Sequence, residues 1–262
     1  MSDYTVSRIG EIIDSNIPEA LQEDWDNTGF QIAFSQRPVD RILTCLDVTE
    51  SVADEAAELG VQLIVSHHPL IFGGITSITD ESPRGRIIEK LIGSGISLYS
   101  SHTSFDKYER GNNFFLGNLL GLRDIQVPDG TDICITGLRP DDAPADLKGF
   151  AAYVAGKLGG GDILRYTGPD DKAINRIGIC AGSGSEFAGL LQAAGCDLLI
   201  TGDLKYHDAA DAAAEGFAII DAGHYGTERF FSGNMGEILS ELLGDGVTVI
   251  SSGRESGPFR SI

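Results

Sequence analysis

Glu55-Ala56-Ala57-Glu58-Leu59-Gly60-Val61-Gln62-Leu63-Ile64-Val65-Ser66-His67-His68-Pro69 contains the structural grammar of the whole chain. Alanine and glutamate favour a helix up to Leu59. Gly60 stands where a helix ends in a left-handed cap. Leu63–Ser66 then reads as a short strand without polar alternation, so both its faces are expected to be covered. The same order recurs three times. Lys90–Gly95 precedes Ile96–Ser101, Leu190–Gly195 precedes Cys196–Ile200, and Ala212–Gly216 precedes Phe217–Asp221. Helices alternating with buried strands predict an α/β protein, with mostly buried sheets flanked by helices.

Helix starts agree with this reading. Ser82-Pro83 supplies a cap and a first-turn proline. Ser183 and Glu186 are spaced as a capping box. From Gln126 to Pro144 the text turns polar, with Pro128-Asp129-Gly130 and Pro140-Asp141-Asp142. That break predicts two α/β lobes, 1–127 and 128–262, with a final strand near Val247–Ser251 as a candidate to rejoin the first.

The chain has 262 residues, 19 basic and 39 acidic, for a formal charge of −20. Nucleic-acid backbones and anionic membrane surfaces need a basic footprint and are disfavoured as partners. A phosphate ester remains compatible if a metal ion supplies the positive charge. The start shows no basic patch followed by an apolar run, and no stretch approaches a membrane span, so a cytoplasmic protein is expected. The four cysteines form no C-x-x-C pair and are expected to be reduced and buried.

The histidines fall in a pattern. His67 and His68 follow one strand, His102 follows another, and His224 lies just past Asp221 at the end of a third. Ligands of open α/β sheets bind beyond the carboxyl ends of the strands. Asp106 lies four residues after His102, and Glu228 four after His224. The second spacing stacks both side chains on one helix face. Pro69 holds His68 extended, so two adjacent imidazoles can flank one cavity and suit two ions. The set His67, His68, Asp106, His224 and Glu228 suits two divalent ions of the zinc, iron or manganese class, with a shared carboxylate bridging them in a dinuclear site. Such a centre activates water for hydrolysis, with His102 or His207 as general acid or base. Trp25-Asp26-Asn27 reads as a packed corner.

Ser66-His67-His68-Pro69-Leu70, His102-Thr103-Ser104-Phe105-Asp106, Thr201-Gly202-Asp203-Leu204-Lys205-Tyr206-His207 and Asp221-Ala222-Gly223-His224-Tyr225-Gly226-Thr227-Glu228, in that order, resemble the Nif-three-like family. Trp25–Gly29 resembles its N-terminal signature. Bacterial members are called GTP cyclohydrolase 1 type 2 homologues. The resemblance implies a dinuclear centre in which His67 and Asp106 bind one ion, His68 and His224 the other, and Glu228 both. It also implies that this centre lies between the two lobes, that the chain forms a ring-shaped homo-hexamer, and that the small-molecule substrate is of the nucleotide class. Family members often read Thr-Gly-Glu where this chain has Thr201-Gly202-Asp203. The function expected is a dinuclear-metal-dependent hydrolase acting on a nucleotide or phosphoester. The alternative is a non-catalytic metal-binding or regulatory oligomer.

Overall fold

The computed structural model describes residues 4–159 and 164–260. Its strands are β1 (Gly29–Ile32), β2 (Arg41–Cys45), β3 (Leu63–Ser66), β4 (Ser97–Ser100), β5 (Arg123–Gln126), β6 (Ile135–Leu138), β7 (Arg165–Thr167), β8 (Arg176–Ser183), β9 (Leu198–Gly202), β10 (Ala218–Asp221) and β11 (Thr248–Ser251). They form two sheets in two compact units, each with its own helices. The first unit comprises Met1–Phe105 and Phe230–Ser256, and the second Asp106–Arg229 and Gly257–Ile262.

The first unit holds a five-stranded sheet, ordered β1-β4-β3-β2-β11. β11, β2, β3 and β4 run parallel, and β1 closes one edge antiparallel to β4. Every residue of β3 and β4 is buried, as expected of strands that carry no charged residue. Thr49 caps the helix Glu50–Leu59 by accepting from the Val52 amide, and Gly60 ends it at φ 64°. Ser82 caps Pro83–Ser94 in the same way, and Gly95 ends that helix at φ 66°. Leu43, Ile64 and Leu98 from the sheet pack with Val52, Ala56, Ile87 and Leu91 from these two helices. Burying such side chains contributes about 1.5–3 kcal/mol each.

The second unit holds a six-stranded sheet, ordered β5-β6-β8-β9-β10-β7. Its centre, β8-β9-β10, is parallel, and its outer strands are antiparallel. Leu199, Ile219, Phe217 and Leu191 form the core with Cys134, Cys180 and Cys196. All four cysteines are free and buried, as expected of reduced thiols. Cys134 stands across from Cys180, one step beyond the Ile135–Ile179 pair. The bond to Cys134 and burial both raise the Cys180 thiol far above its usual pKa, so it stays protonated. The Ser183–Glu186 capping box does not form. β8 continues to Ser183, a short 3-10 turn covers Ser185–Phe187, and the Ser185 hydroxyl bonds Asp208 at 2.6 Å. Strand pairing has overridden a local helix signal.

The C-terminal segment after β11 is stitched to the first unit. Ser252 and Gly253 bond Glu55, and the Glu255 carboxylate accepts the Leu46 amide at 2.7 Å. Burial pushes the Glu255 pKa up to about 7, with the Asp47 and Glu55 carboxylates adding to the effect against the Leu46 bond and His68. Folding therefore favours the protonated form. Its contribution is fully present below about pH 4.5 and is lost as pH rises through about 7. In metal-free protein, Glu255→Gln is expected to gain about 1–2 kcal/mol at pH 8 and little at pH 4, allowing for partial exposure. Urea titrations at the two pH values measure it, and an equal change at both would contradict the assignment.

Candidate metal centre

Chain geometry delivers the first unit's donors. The β2–β3 ladder runs past the strand end, with the His67 amide bonded to Cys45 O (3.1 Å) and the His68 amide to Leu46 O (3.0 Å). His67 is fully buried, its ring 5.0 Å from that of Phe231. His102 follows β4, where the Ser101 amide bonds Ser66 O at 2.8 Å. Parallel strands ending in register thus bring three imidazoles together. His67, His68 and His102 each offer a ring nitrogen within 4.8 Å of the others.

The second unit gathers a different set. Asp106 lies in the short helix Thr103–Lys107, where Oδ1 accepts from Asn112 Nδ2 at 2.9 Å. Asn113 bonds the Asp106 carbonyl and also accepts the Ala181 amide, tying that helix to β8. Gly223, at φ 77°, turns the chain from β10 into the helix His224–Glu228. The four-residue spacing then brings His224 Nε2 to 3.0 Å from Glu228 Oε2. Asp106 and Glu228 are 7% and 3% exposed, and they have carboxylate oxygens within 4.8 Å of each other. Two buried like charges at that separation repel and are desolvated, which a divalent cation offsets. The donors therefore fit a metal.

All four imidazoles share one detail. Each Nδ1 donates to an acceptor-only oxygen: His67 to Ser101 O (2.9 Å), His68 to Asp47 Oδ1 (2.8 Å), His102 to Asp26 Oδ1 (2.7 Å) and His224 to Asp203 Oδ2 (2.8 Å). A carbonyl or carboxylate can only accept, so Nδ1 carries a proton in each ring and Nε2 is the nitrogen left to ligate a metal ion. Metal-binding histidines are oriented in this way.

The carboxylate partners differ in burial. Asp26 has no side-chain exposure, while Asp47 and Asp203 are about half exposed, at 52% and 53%. Burial raises the Asp26 pKa, but bonds from His102 and Thr103 outweigh it and hold the carboxyl well below its usual range. Asp203 has a left-handed backbone at φ 52° and still reaches His224.

Glycine permits two close approaches. A Cβ at Gly182, itself at φ 69°, would overlap Glu228 Oε1 and stand 3.4 Å from His224 Nε2. A Cβ at Gly202 would press on the Gly223–His224 backbone.

His207 is exposed in the first turn of Tyr206–Ala214, its ring edge-on to Tyr206, and it belongs to none of the donor groups among the described residues. Trp25 is not a packed corner: it is 60% exposed. The sequence pattern did not single out Asp47, Asn112 or Asn113, and it assigned no role to Asp26 or Asp203. Asp47 had a usable signal, lying two residues beyond the end of β2, where the rule that singled out the histidines also applies. No described helix is long and apolar enough to cross a membrane.

The model of the family Duf34/NIF3 (NGG1p interacting factor 3) matches residues 4–258. A Clostridium perfringens protein named GTP cyclohydrolase 1 type 2 homolog is 33% identical over 267 residues, covering 96% of this chain and 97% of its own. A Helicobacter pylori protein named GTP cyclohydrolase 1 type 2 is 33% identical over 234 residues, covering 89% of this chain and 91% of its own. Among solved structures, a Staphylococcus aureus hypothetical protein aligns with TM-score 0.92 at 28% identity, over 98% of this chain and 99% of that one. These similarities run nearly the whole length of the sequence, and the chain belongs to the DUF34/NIF3 family.

Proposed function

We propose that this protein is a metal-dependent hydrolase that holds two divalent ions through His67, His68, Asp106, His224 and Glu228. His67 and Asp106 serve one ion, His68 and His224 the other, and Glu228 both. The observation that carries this reading is the shared commitment of Nδ1 in all four imidazoles, which orients four Nε2 lone pairs as ligands or bases. Mixed nitrogen and oxygen donors favour zinc, iron or manganese over calcium. When bound, such ions supply Lewis acidity and bring the pKa of water toward neutrality.

Proton transfer belongs to His102. It is the imidazole whose carboxylate partner is wholly buried, so water competes less for its Nδ1 bond than for those of His68 and His224, and its ring is the most firmly oriented of the three. His102 Nε2 takes or returns the proton while Nδ1 stays on Asp26. By the names of the relatives, the substrate is a nucleotide such as GTP, and by family resemblance the working form is a homo-oligomer, a hexamer.

Elemental analysis of protein purified without added metal tests the centre. Wild type is expected to carry two divalent ions per chain, with His224→Ala reduced and Glu228→Ala nearly empty. Wild-type protein that stays metal-free after reconstitution with zinc, iron and manganese would overturn the reading. GTP ring opening and phosphoester cleavage, each compared with His68→Ala, test the reaction.

A further inference from the structure

Two large aromatic rings near the first unit's histidines are left in solvent. Trp25 is 60% exposed and Phe72 45% exposed. Their centroids are 6.0 Å apart at 67°, and both meet the His102 ring edge-on, at 6.0 and 6.3 Å. The loops that carry them are braced. Asn27 Nδ2 donates to Ile71 O at 2.6 Å, the Ile71 amide donates to Gln31 Oε1 at 3.0 Å, and Gln31 Nε2 returns to Asn27 O at 2.8 Å. Below Trp25, Asp26 is anchored by His102 and by the Thr103 amide. Hydrogen bonds thus hold both rings in position without burying them. A ring that served only the core would be covered. A rigid, exposed aromatic pair beside a candidate catalytic imidazole is instead preorganised to take a flat partner.

We propose that Trp25 and Phe72 form an aromatic corner for the planar heteroaromatic ring of the substrate, one ring stacking on its face and the other meeting its edge, and so form a platform that places it next to His102. This rests on the catalytic reading of the centre above. The chain's charge of −20 offers little for a phosphate away from bound cations, so the ring must supply much of the affinity. Stacking on an aromatic side chain tolerates any base and is worth roughly a factor of 5–150 in affinity.

Trp25 is the only tryptophan in the chain, so its emission reports on the platform directly. The experiment titrates metal-loaded protein with guanosine monophosphate, with ribose 5-phosphate as a competitor, and measures metal content alongside. Guanosine monophosphate is expected to quench Trp25 saturably, and ribose 5-phosphate to bind at least about tenfold more weakly. Phe72→Ala is expected to weaken the nucleotide about tenfold with metal content unchanged, and Phe72→Tyr to restore it. Equal affinity for the two ligands, or wild-type affinity in Phe72→Ala by quenching and in Trp25→Ala by titration calorimetry, would overturn the platform. So would blue-shifted emission that no ligand moves, which would show a second copy of the chain covering the rings. Quenching repeated on chelator-treated protein separates the two readings. Wild-type protein that takes up no metal on reconstitution defeats the hydrolase, whereas loss of ring preference with metal retained defeats the platform alone.

Discussion

Gly202→Ala is expected to destabilise the protein by about 3 kcal/mol, at the upper end of what overpacking costs, and to lower its metal content. Gly202 ends β9, and an added Cβ would lie 2.5 Å from Gly223 C and 2.7 Å from His224 Cα. Both neighbours are backbone, so no flexible side chain can yield. Relief requires shifting the turn that starts the His224–Glu228 helix, which pulls His224 away from Asp203. Gly233→Ala is the control. Gly233 lies in the helix Phe231–Leu243, and a methyl group added there would meet nothing within 4 Å, so alanine should be neutral or stabilise by up to about 1 kcal/mol. Urea denaturation and metal analysis of both variants decide the matter. A Gly202→Ala protein with wild-type stability and metal content would contradict the close approach.

Asp26→Ala is expected to cost about 3 kcal/mol at pH 7, because it strips acceptors from buried donors and leaves His102 unsupported. The carboxylate accepts from His102 Nδ1 (2.7 Å), the Thr103 amide (3.0 Å), the Thr103 hydroxyl and the Thr28 hydroxyl (3.2 Å). Its pKa is lowered on folding, so this stability is present above the ordinary carboxyl value of 3.8 and is lost as pH falls below it. The gap between wild type and variant should therefore be full at pH 7, begin to close at pH 3 and go on closing as the pH falls further. Asp26→Asn should retain more stability than Asp26→Ala yet still impair proton transfer, since an amide cannot balance an imidazolium. A gap independent of pH would show that Asp26 acts through packing rather than charge.

The helix-glycine-strand units were legible because their signals are local. Gly60 and Gly95 adopt left-handed conformations where a Cβ is disfavoured, and β3 and β4 are buried along their whole length. The failed capping box at Ser183–Glu186 was equally local in its signal, but the register of β8 against β9 overrode it. The strand-end histidines could be singled out for a similar reason, since the ends of parallel strands are where an α/β sheet exposes its ligands. Their orientation was not legible. The acceptor of each Nδ1 lies 21 to 76 residues away along the chain. The exposure of Trp25 was equally hidden, because burial is a property of neighbours in space, and none of its sequence neighbours determines it.

The amino-acid sequence by itself determined the α/β class, the buried thiols, the family and the candidate donor residues. Each follows from local propensity, periodicity or residue chemistry. Tertiary structure alone decided the tautomers of four imidazoles, the buried Asp26 behind His102, the glycine contacts at Gly182 and Gly202, and the exposure of Trp25 and Phe72. Those depend on strand register and loop bracing between segments far apart in the chain, where no pattern of adjacent residues carries the information.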